Sequence, residues 1–243
     1  MTVVQSAQAR ADELSDGLRR VQERIRAACQ AAGRSPDEVS LIVVTKFFPA
    51  SDVETLCRLG VTDIGENRDQ EASAKIAALS SQVRERLQVH FIGQLQSNKA
   101  TSLASYVDTV HSIDRDKLVR ALDRAAHAAG RDLGVLVQVS LSGDPASGRR
   151  GGIPPQGVSA LADSIAESAH LTLRGLMAVA PLGVDPADAF AELAMVARGV
   201  RADHPGAGWI SAGMSADLEA AVANGATHLR VGSAILGSRP PFG

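Results

Sequence analysis

Leu41-Ile42-Val43-Val44-Thr45-Lys46-Phe47-Phe48-Pro49 decides how the rest of the chain is read. Four apolar residues and then Thr45 describe a buried strand, and Pro49 cannot continue a central strand. Lys46 therefore falls where the strand stops. A lysine at the mouth of an apolar strand is poorly hydrated, and burial disfavours the charged form of an amine. A neutral amine is what imine formation with an aldehyde requires. Taken alone, this stretch favours an ordinary strand-end lysine with its head in water.

Upstream, Leu14, Leu18, Val21, Ile25 and Ala28 recur at steps of four and three. That spacing predicts an amphipathic N-terminal helix within residues 1–34, ended by Gly33 and Pro36. Downstream, apolar β-rich runs alternate with helical segments. The runs lie at 41–45, 61–64, 88–92, 107–110, 135–141, 171–176, 208–211 and 228–231. Helical crossovers return the chain in one direction, so the strands are expected to be parallel. Eight such units in 243 residues fit a closed (β/α)8 TIM barrel over 40–243, read together with the N-terminal helix as a single domain. The competing open doubly wound sheet lacks its marker, since no GxGxxG follows the first strand.

Hydrophobic residues make up 45%, charged residues 21%, and the net charge is -2, which is ordinary globular composition without a basic nucleic-acid footprint. Cys29 and Cys57 belong to no CxxC pair or Cys/His cluster, so neither a disulfide framework nor a zinc site is expected. The N-terminus carries Asp12, Glu13 and Asp16 and no apolar core segment, and no apolar run reaches the ~18 residues of a membrane span. A cytoplasmic location is expected.

In such barrels chemistry gathers at the C-terminal ends of the strands. Those ends present Lys46, then Gly65-Glu66-Asn67, Gly93-Gln94, His111-Ser112, Met177-Ala178, Ser211-Ala212-Gly213-Met214-Ser215, and Arg230-Val231-Gly232-Ser233. Ser215 precedes a helical run with Asp217 and Glu219 in its first turn and reads as an N-cap. Gly232-Ser233 opens a final short helix, and Gly232 permits close backbone approach. Barrels often bind phosphate in the loops after strands seven and eight, and these two groups together fit that placement. Arg230 shares a strand side with Gly232 and is expected to point inward, where a buried arginine needs a partner. An imine-forming lysine, a phosphate site and an inward arginine fit pyridoxal phosphate, and fit a phosphorylated sugar aldehyde as well.

The stretches Val43-Val44-Thr45-Lys46, Ile64-Gly65-Glu66-Asn67 and His90-Phe91-Ile92-Gly93-Gln94-Leu95-Gln96-Ser97-Asn98-Lys99 resemble the pyridoxal-phosphate-binding homeostasis proteins (the YggS/PROSC family). That family is related to the barrel domain of alanine racemase. His111-Ser112-Ile113-Asp114, Arg174-Gly175-Leu176-Met177, Gly213-Met214-Ser215 and Arg230-Val231-Gly232-Ser233 continue the resemblance across nearly the whole chain, in order. It implies Lys46 as the imine lysine, with Ser215, Gly232 and Ser233 on the phosphate and Ser211 and Met214 close by. Arg230 would face the ring nitrogen or the phosphate, and Asn67 would lie beside the cofactor. Two departures stand out. Arg68 follows Glu-Asn where an aromatic is usual, and the loop after strand five reads Ser147-Gly148-Arg149-Arg150 where a lysine is usual.

The resemblance implies a protein that holds and balances pyridoxal phosphate, with apo forms of cofactor-dependent enzymes as candidate receivers, and has no firm catalytic reaction. The residues bear on this separately. A racemase needs a second acid/base opposite the lysine. The only tyrosine, Tyr106, precedes strand four, at the far end of the barrel, and only His111 among the histidines falls at a strand's C-terminal end. A weak racemase or decarboxylase using His111 and a cofactor-free lysine aldolase are the two alternatives.

Overall fold

The computed structural model describes residues 3–142 and 151–238. Eight strands close in sequence order into a barrel: β1 (Ser40–Val44), β2 (Asp63–Glu66), β3 (Gln88–Phe91), β4 (Thr109–Ile113), β5 (Leu133–Gln138), β6 (Leu171–Met177), β7 (Trp209–Ser211) and β8 (His228–Val231). Every neighbouring pair is parallel, and β8 closes on β1 with Ile42 beside Arg230 and Val43 beside Val231. The (β/α)8 expectation holds. Helices α1 (Val3–Ala31), α2 (Ala50–Arg58), α3 (Asp69–Ala77), α4 (Ser81–Glu85) and α5 (Ala100–Ala104) are followed by α6 (Asp116–Ala129), α7 (Val158–Ala166), α8 (Pro186–Asp203), α9 (Leu218–Ala223) and α10 (Ser233–Leu236).

Three strand boundaries differ from the sequence reading. Val61 does not open β2, because its N–H donates back to the Leu56 carbonyl as α2 exits through Gly60 at φ 93°. Val107 likewise closes α5 by donating to Leu103, so β4 starts at Thr109 and runs to Ile113. His111 is therefore mid-strand, not at a strand end. Strand β5 stops at Gln138, beyond which Val139 donates to the Met177 carbonyl (2.8 Å) and forms an isolated bridge with Ile153.

Side chains alternate across the barrel wall. A Cβ on Gly65 would meet Ile42 and Val44, so these residues point into the barrel with Arg230 at the level of Ile42. Val43, Val53, Leu56 and Ile64 fill the outer layer between strands and helices.

Helix α1 lies across the end of the chain and grips it with one face, through residues spaced seven apart. Arg10 donates to the Leu236 carbonyl (3.1 Å) and to buried Asp52 (2.7 Å). Gly17 meets the Ile235 backbone so closely that a Cβ would lie 2.5 Å from the Ile235 oxygen. Arg24 donates to the Ser215 carbonyl (3.0 Å) and pairs with Glu219. Gly33 (φ 65°) follows the end of α1 as expected. Ser147, Arg149 and Arg150 of the loop after β5 lie outside the described residues. Among the described residues no helix is long and apolar enough to cross a membrane, and no cluster of histidine, cysteine or carboxylate side chains could hold a metal ion.

Candidate functional site

Lys46 stands just beyond β1, half-buried, in a turn that the neighbouring elements clamp from both sides. On one side the Thr45 carbonyl accepts from Lys75 Nζ (2.7 Å) and from the Phe48 N–H (3.1 Å). On the other side the Phe47 N–H donates to the Glu71 carboxylate. Phe47 has φ 71°, a left-handed conformation that a bulky residue adopts only when its surroundings impose it. Here the imposing group is α3. Its Glu71 and Lys75 sit one turn apart, and Lys75 also reaches Glu66 Oε1 (2.7 Å). Glu66 is fully buried behind the strands, accepts from the Thr45 hydroxyl (2.6 Å), and has no partner for Oε2 among the described residues. Burial raises its pKa and outweighs the lowering by Lys75 and Thr45. The Phe47 ring lies between the Lys46 amine (5.8 Å) and the Arg68 guanidinium (5.3 Å). Arg68 thus takes part in cation–π contact in the place where an aromatic was the usual residue.

Strand order puts Lys46 between the loop after β2, which carries Asn67, and the loops after β8 and β7. Gly232 packs on the wall next to Lys46, where a Cβ would come within 3.0 Å of the Val44 oxygen. The backbone N–H groups of Gly232, Ser233 and Ala234, and those of Ser215 and Ala216, make no hydrogen bond to another described residue. They form a rim of free donors on two adjacent loops. Ser215 is not the N-cap of α9. Asp217 takes that position and turns its carboxylate back to accept the Met214 N–H (2.6 Å), folding 214–217 into a turn. The Met214 amide is thereby used, and its side chain is exposed. The Gly213 carbonyl accepts the Arg230 N–H (2.9 Å), tying the two loops together.

Arg230 points inward and is buried, as its position in β8 implied. Its guanidinium donates to Ser211 Oγ (2.7 Å) and to the Ala178 carbonyl (2.8 Å), which leaves three of its five N–H donors without a bond to a described residue. Burial lowers its pKa to about 10, so it is still charged at neutral pH. Ser211 does not offer its hydroxyl to the amide rim. That hydroxyl is committed inside the barrel, between Arg230 and His111 Nδ1 (3.0 Å). Asn67 lies against Gly93, whose missing Cβ leaves room for the Asn67 backbone. Asn67 also lines two cavities, of about 520 and 340 Å³, that open on the β2–β5 side of the mouth. Lys46, Arg230 and the amide rim line neither.

His111 is fully buried with both ring nitrogens engaged, the second by His90 Nδ1 (2.9 Å). Burial, then His90, Arg230 and His228, hold its pKa well below the usual histidine value. The Tyr106 hydroxyl bonds Asp69 Oδ1 (3.2 Å) at the start of α3, outside the barrel wall. Sequence reasoning missed the roles of Glu66, Glu71 and Lys75. Only the i, i+4 spacing of Glu71 and Lys75 on a helix pointed to that cluster.

The family described as alanine racemase, N-terminal domain, matches residues 17–240. The pyridoxal phosphate homeostasis protein of Mycobacterium bovis is 45% identical, over 95% of this chain and 94% of its own length. Its namesake in Escherichia coli K12 is 36% identical over 94% and 97%. Among solved structures, PipY of Synechococcus elongatus with PLP bound superposes with TM-score 0.77 at 32% identity, covering 92% of this chain and all of that one. The barrel, its order of motifs and these full-length likenesses agree: the chain belongs to the family of pyridoxal phosphate homeostasis proteins, built on the alanine racemase N-terminal fold.

Proposed function

We propose that the chain holds pyridoxal 5′-phosphate as a Schiff base on Lys46 and serves the storage and delivery of that cofactor without a catalytic reaction of its own. The observation that carries this reading is the placement of Lys46. The amine stands on a clamped turn at the end of β1, and β8, the strand beside it, carries buried Arg230 and leads into the free backbone donors of Gly232 and Ser233. The donor set fits the group. Ser215, Ala216, Gly232, Ser233 and Ala234 offer N–H groups to a phosphate dianion, which needs several acceptor contacts satisfied at once. Gly232 keeps the rim close to β1, because any side chain there would press on Val44. Asn67 flanks the lysine on its other side.

When bound, the cofactor supplies an aldehyde for the lysine and a pyridine ring able to accept electrons. Lys46 supplies the amine, and the Thr45 and Phe47 hydrogen bonds fix the direction from which it approaches. Arg230 would hold either the ring nitrogen or the phosphate; at the ring nitrogen its positive charge would disfavour a proton there and weaken the ring as an electron sink. In that placement the charge would favour holding over turnover. His111 supports the same conclusion, since both of its nitrogens are bonded inside the barrel and neither is free to exchange a proton with a substrate. Tyr106 is outside the wall. The chain works as one domain in the cytoplasm, and apo enzymes that depend on the cofactor are its receivers.

Two measurements test this. The loaded protein should restore activity to an apo cofactor-dependent enzyme, and it should exchange no amino-acid Cα hydrogen in D2O above the rate with free cofactor. Exchange that depends on the protein and disappears in His111→Ala would establish the racemase alternative instead.

A further inference from the structure

The interior of the barrel contains an unbroken line of hydrogen-bonded side chains from one end to the other. At the far end from Lys46, Asp63 opens β2 and its Oδ1 lies 2.9 Å from His90 Nε2. His90 Nδ1 lies 2.9 Å from His111 Nε2, and His111 Nδ1 lies 3.0 Å from Ser211 Oγ. Ser211 Oγ lies 2.7 Å from Arg230 Nη1 at the mouth. The four inner side chains, His90, His111, Ser211 and Arg230, are buried, and Asp63 is partly exposed.

With both rings neutral, the two ends fix the direction of every link. A guanidinium can only donate, and an ionised carboxylate can only accept. Ser211 therefore accepts from Arg230 and donates its proton to His111 Nδ1. His111 then carries its proton on Nε2 and donates to His90 Nδ1. His90 carries its proton on Nε2 and donates to Asp63. Reversing any one link leaves two donors or two acceptors face to face in the interior, which is costly. Each neutral imidazole is thus held in a single tautomer, as a carboxylate holds a histidine in other buried pairs. Asp63 is suited to end the line. Burial works to raise its pKa, but hydrogen bonds from His90 and Thr62 outweigh that and hold the carboxyl below its ordinary value. The charged and aromatic groups that face the line from other strands are His228 on β8, stacked at 4.0 Å on Trp209 of β7, and Arg174 of β6 over that indole at 5.7 Å. Asp217 acts on Arg230 from beside the mouth.

We propose that Asp63, His90, His111 and Ser211 are a positioning relay for Arg230. They carry the field of a carboxylate at one end of the barrel to the guanidinium at the other, and so set the charge that a ligand at the mouth meets. None of the four touches that ligand. The inference rests on the reading that Arg230 faces the ring of the cofactor bound at Lys46.

The test uses the full chain and the Asp63→Asn variant, in which the amide oxygen still accepts from His90 but the charge is gone. Long-range proton–nitrogen correlation on histidine-labelled protein, without cofactor, should show His90 and His111 protonated on Nε2 alone at pH 7. A different tautomer, or a charged ring, at either residue would overturn the directional line. With pyridoxal phosphate added, the pH midpoint of the visible band should fall in Asp63→Asn by about half a unit, because a remote anion that favours a protonated imine nitrogen has been removed. An unchanged midpoint with an intact band would reduce the line to a packing role and overturn the relay. No visible band in the unmutated protein would refute the cofactor reading, and the relay's role with it, while the tautomer result stood. If Asp63→Asn folds poorly, Asp63→Ser, which also removes the charge, is read the same way.

Discussion

Replacing Lys75 by methionine tests the clamp behind Lys46 at its most sensitive point. The Lys75 amine is bonded to the Thr45 carbonyl, to Glu66 and, at 3.3 Å, to Glu71. Without it Glu66 keeps one bond, from Thr45, and no cation, while its second oxygen has no partner among the described residues. Removing one member of a buried pair costs about 3–5 kcal/mol, and the lower figure applies here because Glu66 can take up a proton. At roughly 2–4 °C per kcal/mol for a chain of this size, Tm should fall by roughly 6–12 °C. The pH dependence gives a second check. Glu66 already has a pKa raised above its ordinary 4.5 by burial, so the native state binds its proton more tightly than the unfolded chain. Stability from this group therefore falls as pH rises through that raised range. Losing the lysine raises the native value further, so the cost of Lys75→Met should be larger at pH 8 than at pH 5.5. Adding Glu66→Gln should recover at least about half of the loss, since the uncompensated charge is then gone. Urea unfolding at the two pH values measures all of this. A loss under about 1 kcal/mol, equal at both pH values, would refute the claim that Lys75 neutralises a buried carboxylate.

Further outcomes follow from the same geometry. Gly232→Ala puts a Cβ 3.0 Å from the Val44 oxygen and should weaken pyridoxal phosphate binding by about tenfold, with a stability loss of about 1 kcal/mol, in titration and urea unfolding. Gly17→Val presses on Ile235 and should push α10 off α1, costing about 1–3 kcal/mol and lowering cofactor affinity through Ser233. His228 has its pKa lowered to about 4, mainly by burial, and His111 is lowered too. Both bind protons less readily folded than unfolded, so stability should be full above about pH 6.5 and fall as pH drops from there toward 4, by up to about 3 kcal/mol for His228. Urea midpoints between pH 7 and pH 4.5 measure the slope, which His228→Asn should reduce.

Much of the barrel was legible because its strands are apolar runs separated by helical segments, and because Lys46 and Arg230 break that apolar pattern. The boundaries of β2 and β4 were not legible, since Val61 and Val107 look like strand residues and are used instead to close the preceding helices. Ser215 looked like a cap because serine favours that position, but Asp217 is two residues closer to the helix and prevails. The clamp and the interior line were hidden for a different reason. Glu66, Lys75, Asp63, His90 and His111 come from four separate elements, and a single sequence carries no signal that they meet.

Lys46 is the residue proposed to hold the cofactor. The direct measurement is the visible spectrum with added pyridoxal phosphate, followed by borohydride reduction and peptide mass mapping. A yellow band and a reduced adduct on Lys46 are expected, both absent in Lys46→Ala at unchanged Tm. A colourless mixture, or an adduct spread over surface lysines such as Lys99 and Lys117, would contradict it.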